Sequence, residues 1–234
     1  FAWAESYYGA LQARPLPSRK PQDEPPQQGI RRLTVKAQAD LPVLIMAYKT
    51  PVIRDVEKDV DPYALEMLAA VLAGHDAARL NNQLVRQQRL AVSAAASYDS
   101  TSRGPGMFFL YGSPSAGKTR AELETGLRAQ IADIQQQGIA SEELARAKAQ
   151  LIASQIYKLD SVFGQAMEIG QIEAIGIPHT QNQRIIDKLQ AVSADEVQAA
   201  ARKYLQDEQL TVAELDPQAL PASGRPRPSL PTRH

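Results

Sequence analysis

The chain of 234 residues contains no cysteine, and this absence removes two kinds of structure. Neither a disulfide framework nor a metal site built on thiolates can form within it. Aromatic residues are scarce, at 6% of the chain, and Lys plus Arg balance Asp plus Glu at 26 each. Because a nucleic-acid-binding domain normally carries a basic face, the balanced charge argues against nucleic acid as a partner.

Long apolar runs are also missing. No stretch approaches the 18 or so consecutive apolar residues of a membrane-spanning helix, so we expect no membrane span. The apolar share of 44% and the charged share of 22% are typical of a globular protein with a substantial core. The chain begins at Phe1 without a secretory signal pattern. We therefore expect a processed protein or a segment of a longer one.

Proline divides the chain into three parts. Residues 1–29 contain a proline-rich stretch and are predicted to be an interdomain linker or arm. Residues 30–217 alternate between strand-like and helix-like patterns and are predicted to form one domain. Residues 218–234, which are again rich in proline, are predicted to be a disordered tail.

Hydrophobic periodicity within the domain predicts strands in pairs and helices in blocks. The strands are a half-buried Leu33–Gln38, a central Pro42–Lys49, Leu90–Asp99, a hairpin partner Met107–Tyr111, and Leu210–Leu215. The helices are one capped by Asp61, a short one over Ala77–Gln88, one along Leu123–Ile134, a long one from Ser141 through Met167, one at Ile185–Leu189, and one begun by the capping box Ser193–Glu196. This order predicts an α+β fold with a layer of helices packed on a mixed, largely antiparallel sheet.

The segment GSPSAGKT, Gly112 to Thr119, matches the phosphate-binding pattern G-x-x-x-x-G-K-[ST]. A nucleotide hydrolase would also need a second acid after an apolar strand and a parallel sheet, and only Asp216 is a candidate acid. The same residues have a simpler interpretation, in which Gly112 and Gly117 are turn residues and Thr119 and Glu122 form a capping box. We favour this structural interpretation of Gly112, Gly117, Lys118 and Thr119, and keep nucleotide hydrolysis as a remote alternative.

Metal ligands and nucleophiles are poorly represented. The three histidines, His75, His179 and His234, have no carboxylate or second histidine three or four residues away. We therefore expect no catalytic residue and no metal site in this chain. Arg86 and Arg89 allow two interpretations, either a solvated helix end or cations that bind the carbonyl and carboxylate groups of a peptide.

Several segments together resemble the pitrilysin/insulysin-like zinc metallopeptidases, the insulinase family that includes the mitochondrial-processing-peptidase-like branch. The most specific pieces are Arg79-Leu80 with the helix end Leu84–Arg86, and Glu143-Leu144 followed by Ala147-Lys148. The longer segments are DPYALEMLAAVLAG, ARLNNQLVRQQRLAVSAAASYD, GMFFLYGSPSAGKTRAELETGLRAQI, GIASEELARAKAQLIASQ and VSADEVQAAARKYLQDEQLTVAELDP.

The resemblance implies that this chain is the C-terminal half of a subunit. In that family the zinc motif H-x-x-E-H lies in the N-terminal half, so the zinc is expected outside this chain. The implied role is to form the wall of a chamber that binds a peptide substrate, with the N-terminal domain or a second family subunit as partner. Bacterial members are often exported, so a periplasmic parent agrees with the resemblance.

Active insulysin-like members carry an Arg and a Tyr seven residues apart in this region. Arg86 lies near the Arg position, but the residue seven positions later is Ser93, or Val92 in the alternative alignment. The absence of the Tyr indicates a second possibility, a non-catalytic structural subunit that completes a heterodimeric peptidase.

Overall fold

The computed structural model describes residues 1–12, 14, 25–158 and 160–219. Its strands form one sheet in the order β1-β5-β2-β4-β3. The strands are β1 (Arg31–Gln38), β2 (Val43–Thr50), β3 (Ala91–Ser97), β4 (Gly106–Pro114) and β5 (Leu210–Gln218). Only β1 and β5 pair in parallel, while β5–β2, β2–β4 and β4–β3 are antiparallel. The predicted mixed, largely antiparallel sheet is therefore confirmed, with β2 at its centre as expected.

Helices form the second layer. They are α2 (Asp61–Ala73), α3 (Arg120–Gln137), α4 (Ser141–Lys158), α5 (Val162–Ile175), α6 (Asn182–Ala191) and α7 (Ala194–Tyr204), and they are preceded in the chain by α1 (Ala2–Tyr8), a helix with no buried residue. The segment predicted as a short helix over Ala77–Gln88 contains a π-helix at Asn81–Gln87. The capping box of Ser193 and Glu196 at the start of α7 is present as predicted.

The core lies between one face of the sheet and the helices. Leu44 and Met46 of β2 and Phe108 of β4 are fully buried there. Ten of the thirteen residues of α2 are buried, which makes it the central helix of the layer. A helix that is apolar around its whole circumference needs such a position, because burial of its apolar area is the main favourable contribution to folding.

Strand β1 corrects one prediction, because it is exposed along its whole length instead of half-buried. The alternation is present, but the apolar side chains face away from the helices. Leu33 pairs with Ala213, and Ala213 pairs with Ile45, on the face opposite the buried Leu44. The polar side of β1 faces the helices instead, where the Arg32 guanidinium binds the Glu124 carboxylate of α3 at 2.7 and 2.8 Å.

The prediction of one long helix from Ser141 through Met167 is also wrong, because this segment forms two helices, α4 and α5. The hydroxyl of Ser161 accepts a hydrogen bond from the Gly164 N–H at 2.8 Å and begins α5 as its N-cap. The spacing of Ile156, Leu159, Phe163 and Met167 at three and four residues predicts one apolar stripe along such a helix, but Ile156, Phe163 and Met167 are exposed, Phe163 by 76%. Leu159 of the same stripe lies outside the described residues.

Two smaller predictions also differ from the structure. Asp61 does not cap α2, since its carboxylate accepts hydrogen bonds from Lys203 Nζ at 2.6 Å and the Tyr204 hydroxyl at 2.5 Å in α7. The last strand continues beyond Leu215 to Gln218. The predicted tail and much of the predicted arm, residues 220–234, 13 and 15–24, lie outside the described residues.

Candidate functional site

Arg86 lies in the last turn of the π-helix, and Arg89 lies in the turn that joins this helix to β3. Leu84 and Leu90 anchor this turn in the core, and the Leu90 N–H donates to the Leu84 carbonyl at 2.8 Å. Gly126 of α3 allows the close approach, because a Cβ there would lie 2.5 Å from Leu90 Cδ2. Two buried leucines therefore fix the turn, and the two arginines between them are exposed.

The backbone of this turn is unusual in two ways. The wide π-helical turn is closed by the Gln88 N–H, which donates to the Gln83 carbonyl at 3.0 Å. Arg89 then adopts φ 49°, the one positive φ of a non-glycine residue among those described. A side chain in this left-handed region costs about 1 kcal/mol, and both features occur frequently at functional sites.

Among the described residues, the Arg86 and Arg89 side chains form no hydrogen bond or ion pair, so both guanidinium groups are available to a ligand. The residues at the seven-residue spacing lie in β3 or its bulge, with Ser93 and Val92 both exposed. The phenol that follows in sequence, Tyr98, is buried and its hydroxyl donates to the Pro51 carbonyl at 2.5 Å. Burial raises the pKa of Tyr98, which keeps it neutral.

Arg79 and Glu143, which belong to the two most specific segments of the resemblance, are in direct contact. Arg79 Nε and Nη2 donate to the Glu143 carboxylate at 2.9 and 2.6 Å, and Nη1 donates to Asp133 at 2.7 Å. Burial disfavours the charge of Arg79, but the two carboxylates outweigh it and raise its pKa. A recess of about 500 Å³ adjoins the pair. Asp133 belongs to α3 and Glu143 to α4, and both carboxylates bind Arg79. The three side chains therefore join the segment before the π-helix to α3 and α4.

The predicted capping box at the phosphate-loop look-alike is confirmed. The Glu122 N–H donates to Thr119 Oγ1 at 3.1 Å, and the Thr119 N–H donates to the Glu122 carboxylate at 2.8 Å. Lys118 Nζ donates to the same carboxylate at 3.1 Å. Gly117 has φ 78°, and Gly112 lies inside β4, where a Cβ would be 2.4 Å from the Ser93 carbonyl oxygen. That no nucleotide binds here stays a prediction.

The candidate second acid, Asp216, also has a partner. Arg120 at the start of α3 donates to Glu214 at 3.0 Å and to Asp216 at 3.3 Å on β5. The sheet around β4 is antiparallel on both sides, unlike the parallel arrangement that a phosphate-binding loop of this type requires.

The arginine turn and the phosphate-loop look-alike lie at the same end of the sheet. The Leu90 carbonyl accepts a hydrogen bond from the Ser115 N–H at 2.9 Å, which joins the arginine turn to the loop that precedes α3.

No cluster of three or more His, Asp or Glu residues that could hold a metal ion occurs in the described part of the chain. His75 Nδ1 accepts a hydrogen bond from the Ala77 N–H at 3.2 Å, and His179 Nδ1 lies 2.7 Å from Glu173. His234 lies outside the described residues. Among the same residues, we find no helix that combines the length and the apolar character of a membrane span.

The face of the sheet opposite the helices exposes an apolar surface that the sequence analysis did not find. We call it the open face, and its large side chains are between 37% and 48% exposed. They are Leu33, Val35, Ile45, Met107 and Tyr111. The nearly continuous apolar run of β2 predicted a central strand, but it did not indicate which face of that strand stays open.

The comparisons with known proteins agree with this architecture. Residues 1–151 match the family described as the peptidase M16 inactive domain. A Bacillus subtilis protein named as the uncharacterized zinc protease YmxG is 30% identical over 146 residues, which cover 62% of this chain and 35% of that protein.

Two solved structures share the fold. A protease from Helicobacter pylori has a TM-score of 0.81 at 20% identity, covering 92% of this chain and 52% of that one. The peptidase M16 inactive domain from Pseudomonas fluorescens has a TM-score of 0.73 at 19% identity, covering 94% and 52%. The chain thus spans about half the length of these solved relatives and a smaller share of the curated one. The family match covers well over half of the chain, and the chain therefore belongs to the peptidase M16 inactive domain family.

Proposed function

We propose that this chain is the C-terminal, non-catalytic domain of a zinc peptidase and binds the peptide that a zinc-bearing domain cleaves. The single observation that carries the proposal is the exposed pair Arg86 and Arg89, whose guanidinium groups have no partner among the described residues. Guanidinium groups form strong hydrogen bonds with carboxylates and carbonyl groups, which a peptide supplies.

The open face supports a role as a chamber wall. Its exposed apolar side chains include Ile45 on the central strand β2 and Tyr111 on the neighbouring strand β4, where a sheet packed on both faces would be covered. An apolar surface of this kind suits unfolded peptides, which present apolar side chains in many sequences. The zinc-bearing partner would be the N-terminal domain of the same protein or a second family subunit, and the zinc ion would be held there.

Peptide binding by the isolated chain tests this proposal. A fluorescein-labelled, unstructured peptide with acidic residues should bind the wild-type chain, as measured by fluorescence anisotropy. The double variant Arg86→Ala/Arg89→Ala should bind about tenfold or more weakly, since two charge-assisted hydrogen bonds are lost. Arg31→Ala removes an exposed cation at the opposite edge of the sheet and serves as the matched control. Equal affinity of all three proteins would contradict the proposal.

A second candidate function is a structural subunit that completes a heterodimer without touching the peptide. The observation that favours it is the absence of a Tyr at Ser93, seven residues after Arg86, and at Val92, which takes that place in the alternative alignment. The N-terminal half of the parent protein discriminates between the two candidates. An intact H-x-x-E-H motif there would count against a purely structural role.

A further inference from the structure

The two edges of the sheet differ in how they are protected against pairing with another chain. Strand β1 forms one edge and carries Arg31, Arg32 and Lys36, the kind of charged side chains that discourage strand addition. Strand β3 forms the other edge and reads AVSAAAS, with no charged residue and no proline. No other strand of the described chain pairs with its free edge, so its outward N–H and C=O groups form an unprotected template.

The side chains of β3 leave room for a neighbouring backbone. A bulge at Val92 interrupts the pairing with β4, and the regular pairing covers Ser93–Ser97, where every side chain is alanine or serine. A recess of about 280 Å³ runs beside this part of the strand and is lined by α2, β3 and α4. Much of its lining is small, including Ala70, Gly74 and Ser154.

Charge distinguishes the two ends of the strand. Arg89 lies two residues before β3, and Arg86 lies in the last turn of the π-helix ahead of it. Both cations therefore lie toward the N-terminal end of the free edge. A strand added antiparallel to β3 ends at that position, so its C-terminal carboxylate or a late acidic residue meets the two guanidinium groups. A parallel strand would instead bring its N-terminal ammonium group to the cations.

We propose that the free edge of β3 binds an extended peptide as a sixth, antiparallel strand, with the carboxylate end of the peptide at Arg86 and Arg89. The proposal rests on the proposed function, and it adds a binding mode and a chain direction. The backbone of the peptide supplies most of the hydrogen bonds, so binding tolerates many sequences. The two arginines add a preference for peptides that carry negative charge near the C-terminal end.

N-methylation of the peptide tests the strand pairing directly. The probe is a short synthetic peptide of alternating valine and threonine with a lysine at its N-terminus and a free C-terminal carboxylate. Only every second amide of an added strand donates to its neighbour, so methylating one alternate set should weaken binding about tenfold or more. Methylating the other set should leave binding nearly unchanged. Hydrogen-exchange mass spectrometry should show new protection within Ser93–Ser97.

Chain direction has its own test. The wild-type chain should bind a C-terminally amidated probe several-fold more weakly than the probe with a free carboxylate. The double variant Arg86→Ala/Arg89→Ala should bind the two probes with equal affinity. Arg31→Ala should not alter this difference, because Arg31 lies on the other edge.

The remaining outcomes contradict the proposal in distinguishable ways. Binding that is equally sensitive to both methylation sets, or protection on β1 or the open face, would overturn strand addition and leave the proposed function standing. Absence of any peptide binding would overturn both. Concentration-dependent dimerisation through β3, detected by ultracentrifugation and the same exchange protection, would assign the edge to a second copy of the chain and overturn a peptide as its occupant.

Discussion

The guanidinium group of Arg79 binds the carboxylate of Glu143 through two hydrogen bonds of 2.9 and 2.6 Å across 64 positions of sequence. Asp133 of α3 accepts a third bond from the same arginine at 2.7 Å. The side chain of Arg79 is only 13% exposed and that of Glu143 22%, so the loss of the arginine would leave the Glu143 carboxylate partly buried without this partner.

Arg79→Ala should therefore lower the free energy of unfolding by about 2 kcal/mol or more, as measured by urea denaturation. Arg184→Ala is the matched control, because Arg184 also forms a two-bond pair, with Glu57, but both side chains are about half exposed. The control should cost less than about 1 kcal/mol. Equal losses in the two variants would show that the Arg79 group contributes no more than a surface pair.

The ion pair between Arg32 of β1 and Glu124 of α3 should make the free energy of unfolding depend on pH in the acidic range. The hydrogen bonds from Arg32, assisted by Arg128, hold the pKa of Glu124 below its ordinary value of 4.5. A carboxyl group with a lowered pKa stabilises the fold fully above 4.5, and this contribution is lost as the pH falls through the lowered pKa. Urea denaturation between neutral and acidic pH should show a steeper loss below 4.5 in wild type than in Glu124→Gln. Parallel curves would refute this role.

The loop before α3 should behave as a helix start. Thr119→Ala removes the hydroxyl that caps α3 and should cost about 1 kcal/mol, whereas Thr119→Ser keeps the hydroxyl and should cost little. Titration calorimetry with ATP and Mg²⁺ should detect no binding in wild type or in Lys118→Ala. Tight Mg²⁺-dependent binding that Lys118→Ala abolishes would restore the nucleotide hydrolase as a candidate.

We expect the strained backbone at Arg89 to lower the stability of the fold, while the Arg89 side chain contributes to peptide binding. Arg89→Gly removes the steric cost of φ 49° and should raise the free energy of unfolding by about 0.5 kcal/mol, while it weakens peptide binding. Gln88→Gly, at the neighbouring residue with φ −82°, should instead lower stability by about 0.5–1 kcal/mol. A loss of stability in Arg89→Gly would mean that the arginine contributes packing that outweighs its strain.

Local sequence signals predicted most of the elements and the fold class. The capping boxes at Thr119 and Ser193 are short-range features, and both are present in the structure. The central position of β2 followed from its continuous apolar run. These signals depend on neighbours in sequence, which is why they can be read without tertiary information.

Features that depend on the environment of an element were missed. The alternation in β1 was recognised, but the side of the sheet that receives the helices cannot be read from β1 itself, so Leu33 was placed on the wrong face. The break at Ser161 was hidden by apolar residues that continue the helical spacing through Phe163 and Met167, although these side chains are exposed. For the same reason, the sequence indicated Arg86 and Arg89 as candidate cations, which stays a prediction, but it did not indicate that the edge of β3 has no neighbouring strand among the described residues.

The function proposed for this chain is peptide binding without cleavage. The most direct measurement incubates the purified chain with a labelled unstructured peptide, with and without added Zn²⁺, and follows anisotropy and peptide mass together. We predict saturable binding that depends on Arg86 and Arg89, with the peptide intact in both conditions. Zn²⁺-dependent cleavage by the chain alone, or the absence of any binding, would contradict the account.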